Sequence, residues 1–411
     1  MDRKRVIKTA VFFSLFNFFL IALLGLTFRI FPLFSFSGFH YQNWLQVHSH
    51  AAFLGWAYTA LALLLWYTFT PDDPRLNRKF ALIILALQIP VFGMYFSFPT
   101  EGYGPWSIIF LSSHLILFTY LILLIFRHSD NKKTPSFTLF KIAFWFMVLS
   151  AAGPMALGPI SAMGLKQTHW YQAAIYFYLH FQYNGWFTLA LLSLLLKGLE
   201  QAGITYPTKE SSKLGWIFTL SILLTYPLSL VNIYPVPIVY IPGAIGAIMQ
   251  IGGVYYILKK YIYHKNIIHS NSHHLFTLAG LVASFLILKL FAQLFTAIPS
   301  LVEFAYTQRD LVVAYLHLSL LGFTSTGILL FFGWRKWLNF KKPITWAGLV
   351  IFLIGFLMTE VLLGIRGFFP DIVSNYTLLM IYMLIIHAIM MATGIFIMML
   401  SSLFTFNQTE A

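Results

Sequence analysis

No cysteine occurs among the 411 residues. That excludes disulfides, thiolate metal sites and cysteine nucleophiles, and leaves histidine as the obvious soft ligand. Charge is scarce too: Asp, Glu, Lys and Arg make up 9% of the chain, with only 12 acids. A chain this size cannot clothe a soluble globule with so few charges, so lipid is the expected solvent. No connection between apolar runs is long enough to form a separate soluble domain. Phosphate-binding glycine loops, a nucleophile elbow and paired catalytic carboxylates are all missing. The first apolar run has no small-residue cleavage site and reads as a retained helix, not a signal peptide.

What the chain does have is hydrophobic sequence, 59% of the residues, in runs near the length of about 20 residues that crosses a hydrocarbon core. Twelve such spans are expected: 9–31, 46–69, 79–98, 105–126, 138–163, 170–197, 214–233, 237–258, 275–298, 309–333, 344–366 and 376–404. The fold class is therefore all-α, an integral membrane protein forming a single transmembrane domain over 1–411. Pro227, Pro235, Pro237 and Pro242 interrupt the seventh and eighth runs, which leaves a re-entrant or broken helix as the alternative there. With twelve spans, only Arg29, Lys166, Arg309 and Arg366 fall on one face, and Lys289 falls inside a span. Every other lysine and arginine, from Arg3 to Lys342, lies on the opposite face. Basic residues are retained in the cytoplasm, so both termini are expected there, in a multi-pass protein of a bacterial inner membrane. The net charge of +14 is then a consequence of topology, with membrane lipid as the partner and no nucleic acid required. The 43 phenylalanines, 22 tyrosines and 11 tryptophans read as interfacial belts and bundle packing.

Seven of the thirteen histidines (His40, His128, His169, His264, His269, His273 and His274) fall in loops or near helix ends, where solvated roles suffice. His48, His50, His114, His180, His317 and His387 fall within spans, where ionisable residues are rare and usually face a bundle interior. All six lie on even-numbered helices, roughly 3 to 18 Å below the outer surface at the helical rise per residue. They form a layer. A short pattern recurs with them: His50-Ala-Ala-Phe-Leu-Gly-Trp56, His180-Phe-Gln-Tyr-Asn-Gly-Trp186 and His317-Leu-Ser-Leu-Leu-Gly-Phe323. The copies are separated by four helices each time, which suggests pseudo-repeat units centred on helix 2 (His50), helix 6 (His180) and helix 10 (His317). The glycine in each copy admits either a flat bulky group or another helix. Neutral imidazole binds a transition metal or haem iron through one nitrogen while the other donates a hydrogen bond. His50 and His317, on different helices at equal depth, are the candidate pair for a haem. His48 lies about 200° around the helix from His50, so the two cannot both face one iron; one is the ligand, and the other supports it or belongs to a separate site.

With these residues the chain resembles subunit I of the haem-copper oxidases, a family of twelve helices in three four-helix arcs. In that family one histidine on helix 2 and one on helix 10 hold a low-spin haem, and His50 and His317 match those positions. The stretch Asp310-Leu-Val-Val-Ala-Tyr-Leu-His317 looks like the family's helix 10 motif. Arg366, placed in the loop before helix 12, is similar to the family's propionate-pairing residues, with Arg309 and Arg29 as further candidates. The chain departs from the family at the second site. Tyr315 stands where the high-spin haem ligand would be, helix 7 has no histidine, and Tyr183 follows His180 by three residues where the family uses four. His273 and His274 are adjacent but on the cytoplasmic side.

The resemblance implies haem b, an incomplete binuclear centre, and partner subunits of a respiratory complex that deliver electrons. His114, His180 and His387, with Met390 or Met391, are candidates for copper, a second haem or another metal; satisfied interior histidines are the alternative. Any enzyme would be an oxidoreductase of the terminal oxidase or nitric oxide reductase type, acting on oxygen or nitric oxide. Lys289 and Glu360 are intramembrane charges that belong either to a proton path or to local polar pairs. The rival to the haem reading is a proton-coupled transporter or membrane metal carrier that uses the same histidines.

Overall fold

The computed structural model describes all residues except 35–37, 131–132, 205–207, 269–272 and 408–411, so His269 and Lys132 lie outside the described residues. Regular structure among the described residues is entirely helical. The long helices are α1 (Arg3–Ile30), α2 (Tyr41–Phe69), α3 (Pro74–Glu101), α4 (Pro105–His128), α5 (Pro135–Ala162) and α6 (169–201). They continue with α7 (Thr208–Thr225), α8 (Pro237–Ile268), α9 (His273–Phe295), α10 (Arg309–Trp334), α11 (Pro343–Phe368) and α12 (Thr377–Asn407). Among the described residues, eleven helices are long and apolar enough to cross a membrane. The remaining long helix is α6, whose run of hydrophobic residues is broken by Gln172, His180, Gln182 and Asn184.

Proline and acid residues explain where the helices start. Proline occupies the first position of α3, α4, α5, α8 and α11, where its missing N–H costs no helical hydrogen bond. Several of the few acids sit at these same starts, opposite the exposed N–H groups of a first turn. Asp73 accepts from the Arg75 and Leu76 amides of α3 at 2.9 and 2.7 Å. Glu101 accepts from the Ser107 amide of α4 at 2.7 Å. Glu200, from the end of α6, takes both the amide (3.0 Å) and the hydroxyl (2.7 Å) of Ser136 on α5. The proline-rich seventh and eighth runs are two complete helices: α7 ends in a 3₁₀ turn, Tyr226–Leu230, that contains Pro227, and α8 begins at Pro237 and accommodates Pro242.

The chain divides into two compact units, Met1–Asp130 with Ile328–Ala411, and Asn131–Gly327. In the first unit Phe18 stacks on Trp56 at 4.3 Å and meets Phe352 edge-on at 5.6 Å. Close packing of α11 on α12 depends on small residues: a Cβ on Gly394 would lie 2.5 Å from the Gly348 carbonyl, and one on Gly355 would lie 2.7 Å from the His387 carbonyl. The last turn of α2 is capped from α1, where Arg3 donates to the Tyr67 and Thr70 carbonyls at 2.9 and 3.1 Å and lies over the Trp66 ring. In the second unit α5 and α6 meet at Gly153 and Gly185, and Gln293 of α9 donates to Gln250 of α8 at 3.1 Å.

Candidate functional site

Each copy of the recurrent histidine pattern sits at the same structural event. His50, His180 and His317 each end an α-helical segment, and the next residues wind as a π-helix: Ala51–Tyr58, Phe181–Phe187 and Leu318–Ser325. π turns are rare and cluster at functional positions, because widening the helix releases backbone carbonyls and re-aims side chains. A hydroxyl takes up a released carbonyl in every copy. Thr59 donates to the Leu54 carbonyl at 3.4 Å, Thr188 to Tyr183 at 2.6 Å, and Thr326 to Leu321 at 2.9 Å, each five residues back. These threonines follow their histidines by nine, eight and nine residues, a spacing visible in the sequence once the three patterns are aligned.

The glycine of the pattern, where its surroundings are defined, serves helix packing. A Cβ on Gly55 would come within 2.9 Å of Asn17 Oδ1 of α1 and 3.1 Å of Val91 of α3, and one on Gly185 within 2.5 Å of Phe146 on α5. Of the two roles left open by the sequence, close approach of another helix is the one these two glycines fill.

In the first unit the histidines of α2 point apart. His50 is 5% exposed, stacks on Phe98 at 4.9 Å, and shares a 2.9 Å hydrogen bond between Nε2 and the Tyr103 hydroxyl. His48 packs against α1 instead, edge-on to Phe28 at 5.6 Å and against Gly25. His114 on α4 is buried beside Tyr58 and Phe118 and faces the Leu54 carbonyl of the α2 π segment, without reaching hydrogen-bond geometry there. His387 is buried on α12, its backbone carbonyl in the tight contact with Gly355. Arg366 lies in the last turn of α11, not in the following loop, because the helix continues to Phe368. Arg29 ends α1 and acts electrostatically on Glu360 of α11.

In the second unit His317 is partly buried at the end of the α segment that opens α10, and Arg309 is exposed at that segment's start. His180 is bound on both ring nitrogens. Its Nε2–H donates to the Ile222 carbonyl of α7 at 2.9 Å. That carbonyl belongs to the last turn of α7, just before the 3₁₀ turn that continues it, and it also accepts from the Thr225 hydroxyl at 3.1 Å. The tautomer follows: Nδ1 is the acceptor and takes the Ser229 hydroxyl at 3.1 Å and the Asn184 amide at 3.2 Å. Lys289 of α9, fully buried, reaches the same stretch of α6, donating to the Tyr183 carbonyl at 3.2 Å and the Thr188 hydroxyl at 2.9 Å. Its amine lies 5.5 and 5.8 Å from the Tyr183 and Phe323 ring centroids. Tyr315 meets Tyr183 edge-on at 5.8 Å. Among the described residues Lys289 makes no ion pair, and no three residues of the histidine and carboxylate types are grouped closely enough to hold a metal.

Sequence reasoning missed Tyr103, the capping threonines, and the pair Ser229 and Asn184. The threonines carried a readable spacing signal; Tyr103 and Ser229 did not, since they reach their histidines from elsewhere in the chain.

No family model matches the sequence, and no curated protein matches it. Among solved structures, a cryo-electron microscopy structure of a haem-copper terminal oxidase dimer matches with a TM-score of 0.66 at 10% identity, covering 98% of this chain and 84% of that one. The fold is that of haem-copper oxidase subunit I. At this identity the likeness is one of fold, and the recurrent histidine–π segment–threonine register lies on three helices of a haem-copper oxidase-like chain.

Proposed function

We propose that this protein is a membrane haem protein in which His50 and His317 are the axial ligands of a low-spin haem b, serving electron transfer or diatomic-gas chemistry. The observation that carries the reading is their shared register: each ends an α segment at the mouth of a π segment, within a haem-copper oxidase-like fold. The donor chemistry fits. His50 is a buried ring held against Phe98, its Nε2 hydrogen-bonded to the neutral Tyr103 phenol, and a desolvated neutral imidazole is the form that ligates iron. A bis-histidine haem would supply one-electron redox chemistry; the chain's own residues would orient the imidazoles, with Tyr103 and Phe98 fixing the ring of His50.

The three π segments also support reading the chain as three pseudo-repeats centred on His50, His180 and His317. The Lys and Arg distribution supports a bacterial inner-membrane protein with both termini in the cytoplasm, and an electron-transfer subunit of this kind would work with partner subunits of a respiratory complex. The test is a dithionite-reduced minus oxidised spectrum of purified protein with haem quantified on the same sample. A bis-histidine b-type signal, abolished in His317→Ala and in His50→Ala, is expected; a haem-free protein after expression with ample haem, or a signal unchanged in both variants, refutes the assignment and favours the transporter.

A further inference from the structure

We propose that the α6 locus, where the fold resemblance puts a copper ligand, is a metal-free polar site in this chain, closed by Lys289. The inference stands apart from the haem assignment, because every residue it uses lies within the second unit.

His180 is where a metal would begin, and its chemistry is already committed. Imidazole coordinates through a bare lone pair. At Nε2 the proton is donated to the Ile222 carbonyl, so that nitrogen offers none. At Nδ1 the lone pair accepts from both Asn184 and Ser229. Freeing either nitrogen would take the imidazole donor from the Ile222 carbonyl or strand the buried Asn184 amide. Polar side chains against His180 include Tyr183, Asn184, Ser229 and Tyr226, and among the described residues no three histidines and carboxylates are grouped closely enough to hold a metal. Neutral amide and hydroxyl donors do not build a copper or zinc site.

Lys289 then occupies the position from which a cation would act on α6. The π segment releases the Tyr183 carbonyl, Thr188 takes one of its lone pairs at 2.6 Å, and the Lys289 amine takes the carbonyl and the threonine oxygen together. Flanked by the electron-rich faces of Tyr183 and Phe323, the amine is held by dipoles and rings with no carboxylate. A metal ion placed beside it would meet N–H donors where it needs lone pairs.

The experiment uses the full-length protein, expressed with added copper and again with added iron and zinc, with metals quantified against protein and haem. Well under one copper, zinc or non-haem iron per chain is expected, unchanged in His180→Ala. One metal ion per chain that is lost in His180→Ala overturns the proposal. Should His180→Ala fail to fold, His180→Gln carries the same comparison. The role of Lys289 is read separately by hydrogen exchange of residues 181–188 in Lys289→Met: exchange about tenfold faster or more is expected from losing an amine hydrogen bond there, and wild-type exchange overturns it. Haem content of the same samples decides the haem reading independently of either result.

Discussion

Replacing His180 with phenylalanine keeps a ring of similar size in the α6 core and deletes both nitrogens, which separates the packing of that side chain from its hydrogen bonds. The consequences can be followed atom by atom. The Ile222 carbonyl loses its imidazole donor but keeps the Thr225 hydroxyl at 3.1 Å. Ser229 loses Nδ1 but keeps its interaction with Tyr183. The Asn184 amide, 3.2 Å from Nδ1, loses its acceptor within the core. One stranded amide and one weakened carbonyl bond come to about 2 kcal/mol, since an unmet buried polar group costs about 1–3 kcal/mol. On the scale of soluble domains of comparable size that is a fall of about 4–8 °C in the midpoint of unfolding. Thermal unfolding in detergent, followed through tryptophan fluorescence, measures it with and without a copper and zinc chelator; buried Trp186 lies on the same segment. The expected result is a destabilised variant and a wild type indifferent to the chelator. A variant as stable as wild type would refute the hydrogen-bond account, and a wild type that drops to the variant's midpoint on chelation would mean that a metal holds His180.

Gly394→Ala should cost about 1–3 kcal/mol by overpacking, because its Cβ would meet the Gly348 carbonyl and the Phe352 amide at 2.5 and 2.6 Å, atoms of backbone that cannot rotate away. Gly364→Ala on α11 is the control: nothing lies within 4 Å, and alanine's helix preference should leave it neutral or up to about 1 kcal/mol more stable in the same melting assay. Arg3→Ala should destabilise the first unit by about 1–2 kcal/mol by uncapping α2, with Arg3→Lys recovering only part, since lysine lacks the planar guanidinium that lies over the Trp66 and Tyr67 rings. Thr326→Val removes the hydroxyl on the Leu321 carbonyl and should speed hydrogen exchange in α10 several-fold, corresponding to about 1 kcal/mol; unchanged exchange would show the π segment to be fixed by packing alone.

Much of the fold was legible because lipid imposes a simple rule on sequence: backbone polar groups must pair internally, so apolar runs become helices of nearly fixed length. Twelve long helices follow the twelve expected runs. The prolines near 227–242 were ambiguous for a local reason, since a proline ends one helix and begins another with equal ease, and the structure uses Pro227 for the first purpose and Pro237 for the second. Helix ends were less legible: Arg366 was placed in a loop, and α8 runs on to Ile268, well beyond 258. Polar residues at a membrane boundary are compatible with either a loop or a further helical turn. The histidine register was visible, but its structural meaning was not, because a π segment has no composition of its own and is identified only by which carbonyls it frees. The partners Ile222 and Ser229 of His180 were beyond reach because they come from α7 and the 3₁₀ turn after it, far along the chain from the pattern that holds the histidine.

Under the two proposals the same sequence pattern reaches two chemical outcomes, and the difference lies in the company each imidazole keeps. Around His50 the neighbours include Phe98, a ring with no polar atom, and the Tyr103 phenol. Around His180 a carbonyl, a hydroxyl and an amide already use the ring, and a ligand would have to outbid all three. Burial alone does not distinguish these cases, since His50 and His180 are both almost wholly buried. What distinguishes them is whether the site has polar groups that depend on the histidine. A cofactor ligand is expected to be spare in the hydrogen-bond network of the protein without its cofactor, and a structural histidine is not. By that criterion His180 reads as a fixed part of the helix packing around Lys289, in keeping with the metal-free site proposed for it.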